Sequence, residues 1–151
     1  MHHINRLTID IFSDSDNHKT SRKKISSILR YHEDLILHHL KKKTNFGGYG
    51  YFHTKLYDSI SGENFVKNYG QILEVHFKND PVDMNQFMKL SDLEKLNVLL
   101  DFTKKSVQMA ESKIESGADE ILIAISQARE TGLNLKKKYD DWWKNYYKSK
   151  L

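Results

Sequence analysis

With 151 residues, 29% of them charged, and a formal net charge of +4, the chain has the length of one average domain, enough to bury roughly 68–70% of its unfolded surface around a single core. It contains no cysteine, which excludes a disulfide scaffold, a thiolate metal site and a cysteine nucleophile, and fits a reducing compartment. No apolar run is long enough to span a membrane, and residues 1–14 lack the apolar stretch and small-residue cleavage site of a signal peptide, so a single domain over residues 1–151 in the cytoplasm is expected.

In residues 4–12, Leu7, Ile9 and Ile11 alternate with Arg6, Thr8 and Asp10, the period of a half-buried strand. Residues 13–19 carry Asp14, Asp16 and Asn17 and suit a loop. Over residues 21–42, Ile25, Ile28, Leu29, Leu35, Ile36 and Leu40 recur at three- and four-residue intervals, predicting an amphipathic helix. A glycine-rich turn at 45–50 leads into an aromatic strand over 49–57. After a turn at 58–62, strands are expected at 64–69 and 71–77, the second with Leu73, Val75 and Phe77 on one face and Glu74 and His76 on the other. Pro81, the one proline, ends the strands because it cannot donate to a ladder.

Everything after Pro81 reads as helix. Asp83 with Gln86 caps a short turn, and Ser91 with Glu94 has capping-box spacing. The long helix that follows carries Leu93, Leu96, Leu100, Thr103, Val107, Ala110 and Ile114 as its stripe, with Gly117 placed to stop it. A second helix over 118–131 ends at Gly132. A third over 134–150 carries Leu135, Tyr139, Trp142, Trp143 and Tyr146 as its stripe, and most of the aromatic cluster at residues 142–147 is expected to pack into the core. Strands followed by helices predict an α+β fold. The expected form is a small antiparallel sheet of three to four strands, one N-terminal helix, and a C-terminal helical half covering the same face or one edge.

Motifs for metal, phosphate or nucleophilic chemistry fail at specific positions. His32-Glu33 opens like a zinc H-E-x-x-H, but the second histidine would fall at Ile36, and His32, His38 and His39 lack the spacing to share an ion. Asp14, Asp16 and His18 alternate like the start of a calcium loop that requires glycine at Lys19 and glutamate at Ile25. Gly47-Gly48-Tyr49-Gly50 lacks the lysine of a phosphate loop and leads into a strand, so its glycines are assigned to tight turns. No catalytic residue, metal or cofactor is assigned, and the chain is expected not to be an enzyme.

Two patterns point to binding. Gly48-Tyr49-Gly50-Tyr51-Phe52 resembles the glycine-aromatic strand of RNA-recognition motifs, where rings on a sheet stack on bases. It departs from that pattern at Gly47, where Lys or Arg is usual, and at Thr54, where an aromatic is. Along the same strand Tyr49, Tyr51, His53, Lys55 and Tyr57 form one row. If the helices cover the opposite face, this row is open and suits a protein partner. Trp143 and Tyr147, interleaved with lysines, extend the candidate partner-binding set. Charge is uneven: residues 18–43 hold eight Lys/Arg against two acids, whereas residues 79–130 hold ten acids against six bases. The basic segments would steer an acidic partner.

The stretches Leu7-Thr8-Ile9-Asp10-Ile11-Phe12, Glu74-Val75-His76-Phe77 and Phe87-Met88-Lys89-Leu90, leading into Glu94-Lys95-Leu96-Asn97-Val98-Leu99-Leu100, give the chain a plan that resembles small bacterial immunity proteins. Those proteins neutralise polymorphic or contact-dependent toxins. The resemblance implies a toxin inhibitor that acts by direct binding to a cognate protein toxin. Many nuclease inhibitors of that kind are acidic, whereas this chain is basic, so the toxin's chemistry stays open and no functional residue is carried over. The alternative is a nucleic-acid-binding protein using the basic helix and the aromatic strand.

Overall fold

The computed structural model describes residues 4–13, 18–40, 44–115 and 117–150; the acidic loop residues Asp14 and Asp16 lie outside them. Four strands, β1 (Arg6–Phe12), β2 (Tyr51–Tyr57), β3 (Phe65–Tyr69) and β4 (Ile72–Phe77), form one sheet. The helices are α1 (His18–His39), α2 (Met84–Lys89), α3 (Asp92–Met109), α4 (Glu111–Ile114), α5 (Gly117–Thr131) and α6 (Lys136–Lys150). The fold is α+β with four strands, as expected, but the sheet is mixed rather than antiparallel. In the order β1-β2-β4-β3, β1 and β4 run parallel to the central β2, and only β3 is antiparallel, to β4.

The connections explain the difference. The segment 13–50 between β1 and β2 contains α1, and a long helical crossover permits parallel pairing. β3 and β4 are joined by Gly70 and Gln71 alone, with Tyr69 opposite Ile72. Such a two-residue loop permits only antiparallel pairing, and Gly70 supplies its left-handed residue at φ +64°. β4 then inserts between β3 and β2, which makes it parallel to β2.

One face of the sheet is buried along three strands: Leu7, Ile9 and Ile11 of β1, Phe52, Thr54 and Leu56 of β2, and Leu73, Val75 and Phe77 of β4. They join Ile25, Ile28, Leu35 and Ile36 of α1, Leu96, Leu99, Leu100 and Val107 of α3, and Ile121 and Ile125 of α5 in one core. Each large apolar side chain so buried contributes about 1.5–3 kcal/mol. Two of its polar members are bonded within the core. Thr54 Oγ1 donates to Ser106 Oγ at 2.8 Å, and Ser106 donates on to the Phe102 carbonyl at 2.9 Å.

The helix signals are realised with two changes. Ser91 accepts from the Glu94 amide at 3.2 Å while Glu94 accepts from the Ser91 amide at 3.0 Å, so the capping box forms, and Asp83 caps α2. Gly132, at φ +55°, follows the last turn of α5. The long helix, however, breaks at Ala110, and α4 ends at Glu115, whose φ of 53° is left-handed. Gly117 therefore opens α5 instead of ending α3. A Cβ there would lie 2.3 Å from the Asn45 carbonyl oxygen, so glycine is required for close approach of the 44–48 segment.

Candidate protein-binding face

The period of two that buries one face of each strand sends the remaining side chains to the other. Flush pairing across β1, β2 and β4 aligns them into rows. Arg6, Thr8, Asp10 and Phe12 stand beside Tyr51, His53, Lys55 and Tyr57, followed by Ile72, Glu74 and His76 and, on β3, Tyr69, Lys67 and Phe65. The hydrophobic core lies on the opposite face. Here Phe65 is 36% and Tyr69 47% exposed, while the four β2 side chains are half-buried.

The half-burial comes from ring against ring. Tyr51 and His53 have centroids 5.7 Å apart, His53 and Phe12 6.4 Å, and Phe12 and Tyr57 5.8 Å. Tyr57 then stacks on His76 at 6.0 Å, and His76 on Phe65 at 4.2 Å. Six rings thus form a continuous track across the sheet. Cations sit over it: Arg6 over Tyr51 at 5.5 Å, Lys55 over Phe12 at 5.3 Å, Lys78 between Tyr57 and Phe65 at 5.2 and 5.4 Å, and Lys67 over Tyr69 at 4.7 Å.

A bonded chain fixes the middle of the track. Lys55 Nζ lies 3.2 Å from Glu74, Glu74 is 2.9 Å from His76 Nε2, and the Tyr57 hydroxyl is 2.9 Å from His76 Nδ1. The carboxylate holds the proton on Nε2, which leaves Nδ1 to accept from the Tyr57 hydroxyl. Burial lowers the pKa of His76 despite Glu74, and burial with Lys55 lowers that of His53. Both imidazoles are therefore neutral near pH 7, and the face takes its charge from lysine, arginine, Asp10 and Glu74.

A groove of about 660 Å³ borders this face at the β1 edge, between Thr8, Asp10, Tyr51 and His53 on one side and Lys23 and Arg30 of α1 on the other. Glu33 closes its end. It accepts from Arg6 Nε at 2.9 Å and from the Leu7 amide at 2.8 Å.

Of the side chains singled out in the sequence, the sheet brings Tyr51, His53, Lys55 and Tyr57 together. Tyr49 does not join them. Gly47 and Gly48, at φ +64° and +84°, turn the chain so that the strand begins at Tyr51. Tyr49 is 9% exposed, and its hydroxyl accepts from Asn68 Nδ2 at 2.7 Å. Trp143 and Tyr147 belong to α6, none of whose residues is buried, so the aromatic cluster is not core. Trp143 donates to Asp34 at 2.8 Å and lies 5.1 Å from the Arg30 guanidinium, tying α6 to α1. Tyr147 is 52% exposed and flanks the same guanidinium at 5.9 Å. Arg30 thus links the two aromatic regions, with the groove on one side and α6 on the other.

Phe12, Phe65, Tyr69, Ile72 and His76 complete the face without having been singled out in the sequence. Their parity within each strand was readable, but which strands lie side by side was not. Among the described residues no group of three or more His, Asp or Glu side chains is arranged to hold a metal ion, and no helix is long and apolar enough to cross a membrane. No protein-family model matches the chain, and no curated protein and no solved structure is significantly similar to it.

Proposed function

We propose that the chain is a protein-binding inhibitor whose ring-bearing sheet face docks on an acidic protein partner, and that it serves as an immunity protein neutralising a cognate toxin. The observation that carries the binding reading is the continuous track of six rings with cations over it, on the sheet face away from the core. Pre-packed rings lose little entropy on binding, and aromatic side chains and arginine dominate interface hot spots. Arg6, Lys55, Lys67 and Lys78 against Asp10 and Glu74 leave the face net basic, which favours encounter with an acidic surface.

Size sets a further condition. Strands of seven, seven, six and five residues, about 4.8 Å apart and rising about 3.3 Å per residue, give a face of roughly 400 Å², against about 800 Å² per partner in a standard interface. The partner must therefore extend onto the groove beside Arg30 or onto Tyr147.

A photo-cross-linking residue at His53 or Lys67 should capture one and the same protein in the source cell. The same residue at Ile123, exposed on α5, should capture none of it. Binding to that protein should fall at least tenfold in Tyr51→Ala and Tyr57→Ala with melting temperatures near wild type, and co-expression should relieve its toxicity. Equal capture from Ile123 would remove the face as the contact site. A captured partner that is not toxic would leave a binding module without the immunity role.

The cations over rings also favour a second reading, a stacking platform for single-stranded nucleic acid. It requires binding to an unstructured oligonucleotide that weakens steeply with salt. No binding at low salt eliminates it.

A further inference from the structure

The two edges of the sheet are treated differently. At the β1 edge the outward amide of Leu7 donates to Glu33 and that of Ile11 to Asp10, both at 2.8 Å, and α1 runs alongside. Two of the three outward amides of β1 are thus already bonded, which disfavours strand addition there. Among the described residues no side chain bonds the outward backbone groups of the β3 edge, whose one charged side chain is Lys67. Among the described residues β3 pairs with β4 alone, four of its five residues are exposed, and it contains no proline or bulge. In an antiparallel hairpin closed by a two-residue loop, the pair flanking the loop is hydrogen-bonded and the pattern alternates from there. Tyr69, Lys67 and Phe65 therefore bond to β4, while the amides and carbonyls of Val66 and Asn68 point outward. Outward groups left open in this way are a template for another strand, in any register that keeps Lys67 away from a like charge.

We propose that β3 pairs with β3 of a second copy of the chain, antiparallel about a two-fold axis at Val66, joining two four-stranded sheets into one of eight. The second copy is the occupant because the edge is self-complementary in one register. Full overlap would set Lys67 against Lys67 of the second copy, and like charges directly opposed are destabilising. A shift toward the hairpin end runs into the left-handed Gly70. The opposite shift places Val66 against Val66 and Phe65 against Lys67 of the second copy, twice over. This repeats between copies the ammonium-over-ring contact that Lys67 makes with Tyr69 at 4.7 Å. The two ring tracks then lie side by side on one surface. This inference does not depend on the identity of any other partner.

The experiment measures mass against concentration by sedimentation or light scattering on the full chain. Wild type should pass from monomer to dimer, and Val66→Pro should remain monomeric with an unchanged circular dichroism spectrum, since the amide it removes points outward. Because the chain has no cysteine, a second measurement is clean. Phe65→Cys mixed with Lys67→Cys should form a disulfide-linked heterodimer under mild oxidation, whereas neither alone should cross-link to a comparable extent. This readout holds even if the proline variant fails to fold. Wild type that stays monomeric throughout, a dimer that survives in folded Val66→Pro, or homotypic cross-links that match the mixed one would each overturn the proposal.

Discussion

His32 sets a pH dependence that can be worked from its surroundings. It is wholly buried between α1 and α3. Its Nε2 lies 2.9 Å from Thr103 Oγ1, whose own hydrogen goes to the Leu99 carbonyl at 2.9 Å. Nε2 is therefore the donor, and Nδ1 is a buried acceptor without a partner among the described residues. Burial drives the pKa down from 6.5 to about 3. The unfolded chain then binds the proton better than the folded one, so the stability is intact above about pH 6.5 and is lost as pH falls toward 3. At about 1.36 kcal/mol per pH unit, the 1.5 units between 6.5 and pH 5 correspond to about 2 kcal/mol. Urea unfolding at pH 7 and pH 5 measures it, with His32→Gln as reference because the amide is polar but does not titrate. His39, His53 and His76 also have lowered pKa values and stay in the variant, so the difference between the two proteins isolates His32. Glu74 and Glu94, whose pKa values are lowered from 4.5, titrate below the window. If the variant loses as much stability as wild type over this range, His32 is not the buried neutral base described here.

Two further predictions address the close approach at 44–48 and the attachment of α6. Gly47→Ala would place a Cβ 2.1 Å from the Lys113 carbonyl oxygen, whereas at Gly48, with φ +84°, a Cβ meets nothing within 4 Å. Gly48→Ala should cost about 1–2 kcal/mol from backbone strain alone, and thermal melts should show Gly47→Ala losing several times more; equal losses would mean that the α4–α5 junction yields. In α6, Trp143→Ala removes the bond to Asp34 and the ring facing Arg30. Because α6 buries no residue, amide exchange there should accelerate at least tenfold while exchange in the core strands is unchanged, and loss of protection throughout the chain would contradict this.

What was legible in the sequence followed local rules. Alternation in β1, β2 and β4 identified the strands and their faces, and Ser91, Glu94 and Gly132 marked helix ends, because caps and periods are properties of neighbouring residues. Tyr49 has the parity of the row but lies two residues ahead of the strand, in the turn that Gly47 and Gly48 open, and alternation alone does not mark where a strand begins. Parallel pairing and the order β1-β2-β4-β3 depend on contacts between distant segments, which a pattern of period two does not encode. The aromatic cluster of α6 was assigned to the core on hydrophobicity alone. In the fold its rings contact one another, Trp142 on Tyr146 at 5.5 Å and Trp143 against Tyr147 at 5.8 Å, yet Trp142, Tyr146 and Tyr147 stay exposed.

The polar face of α1 is where the sequence reading fell furthest short, and it organises the candidate site. The apolar stripe of that helix identified its core side, and the charges between looked like a solvated surface. Instead Glu33 is buried against Arg6 and the Leu7 amide, Asp34 holds Trp143, Ser27 donates to Asp140 at 3.0 Å, and Arg30 stands between the groove and two aromatic rings. A carboxylate that accepts from a guanidinium and an edge amide together orients the first strand and seals it against another chain. The same helix that packs the core therefore closes one edge of the sheet and positions α6 beside the groove. The ring-bearing face and the β3 edge are left uncovered by it, and at that edge the described side chains supply no equivalent of Glu33.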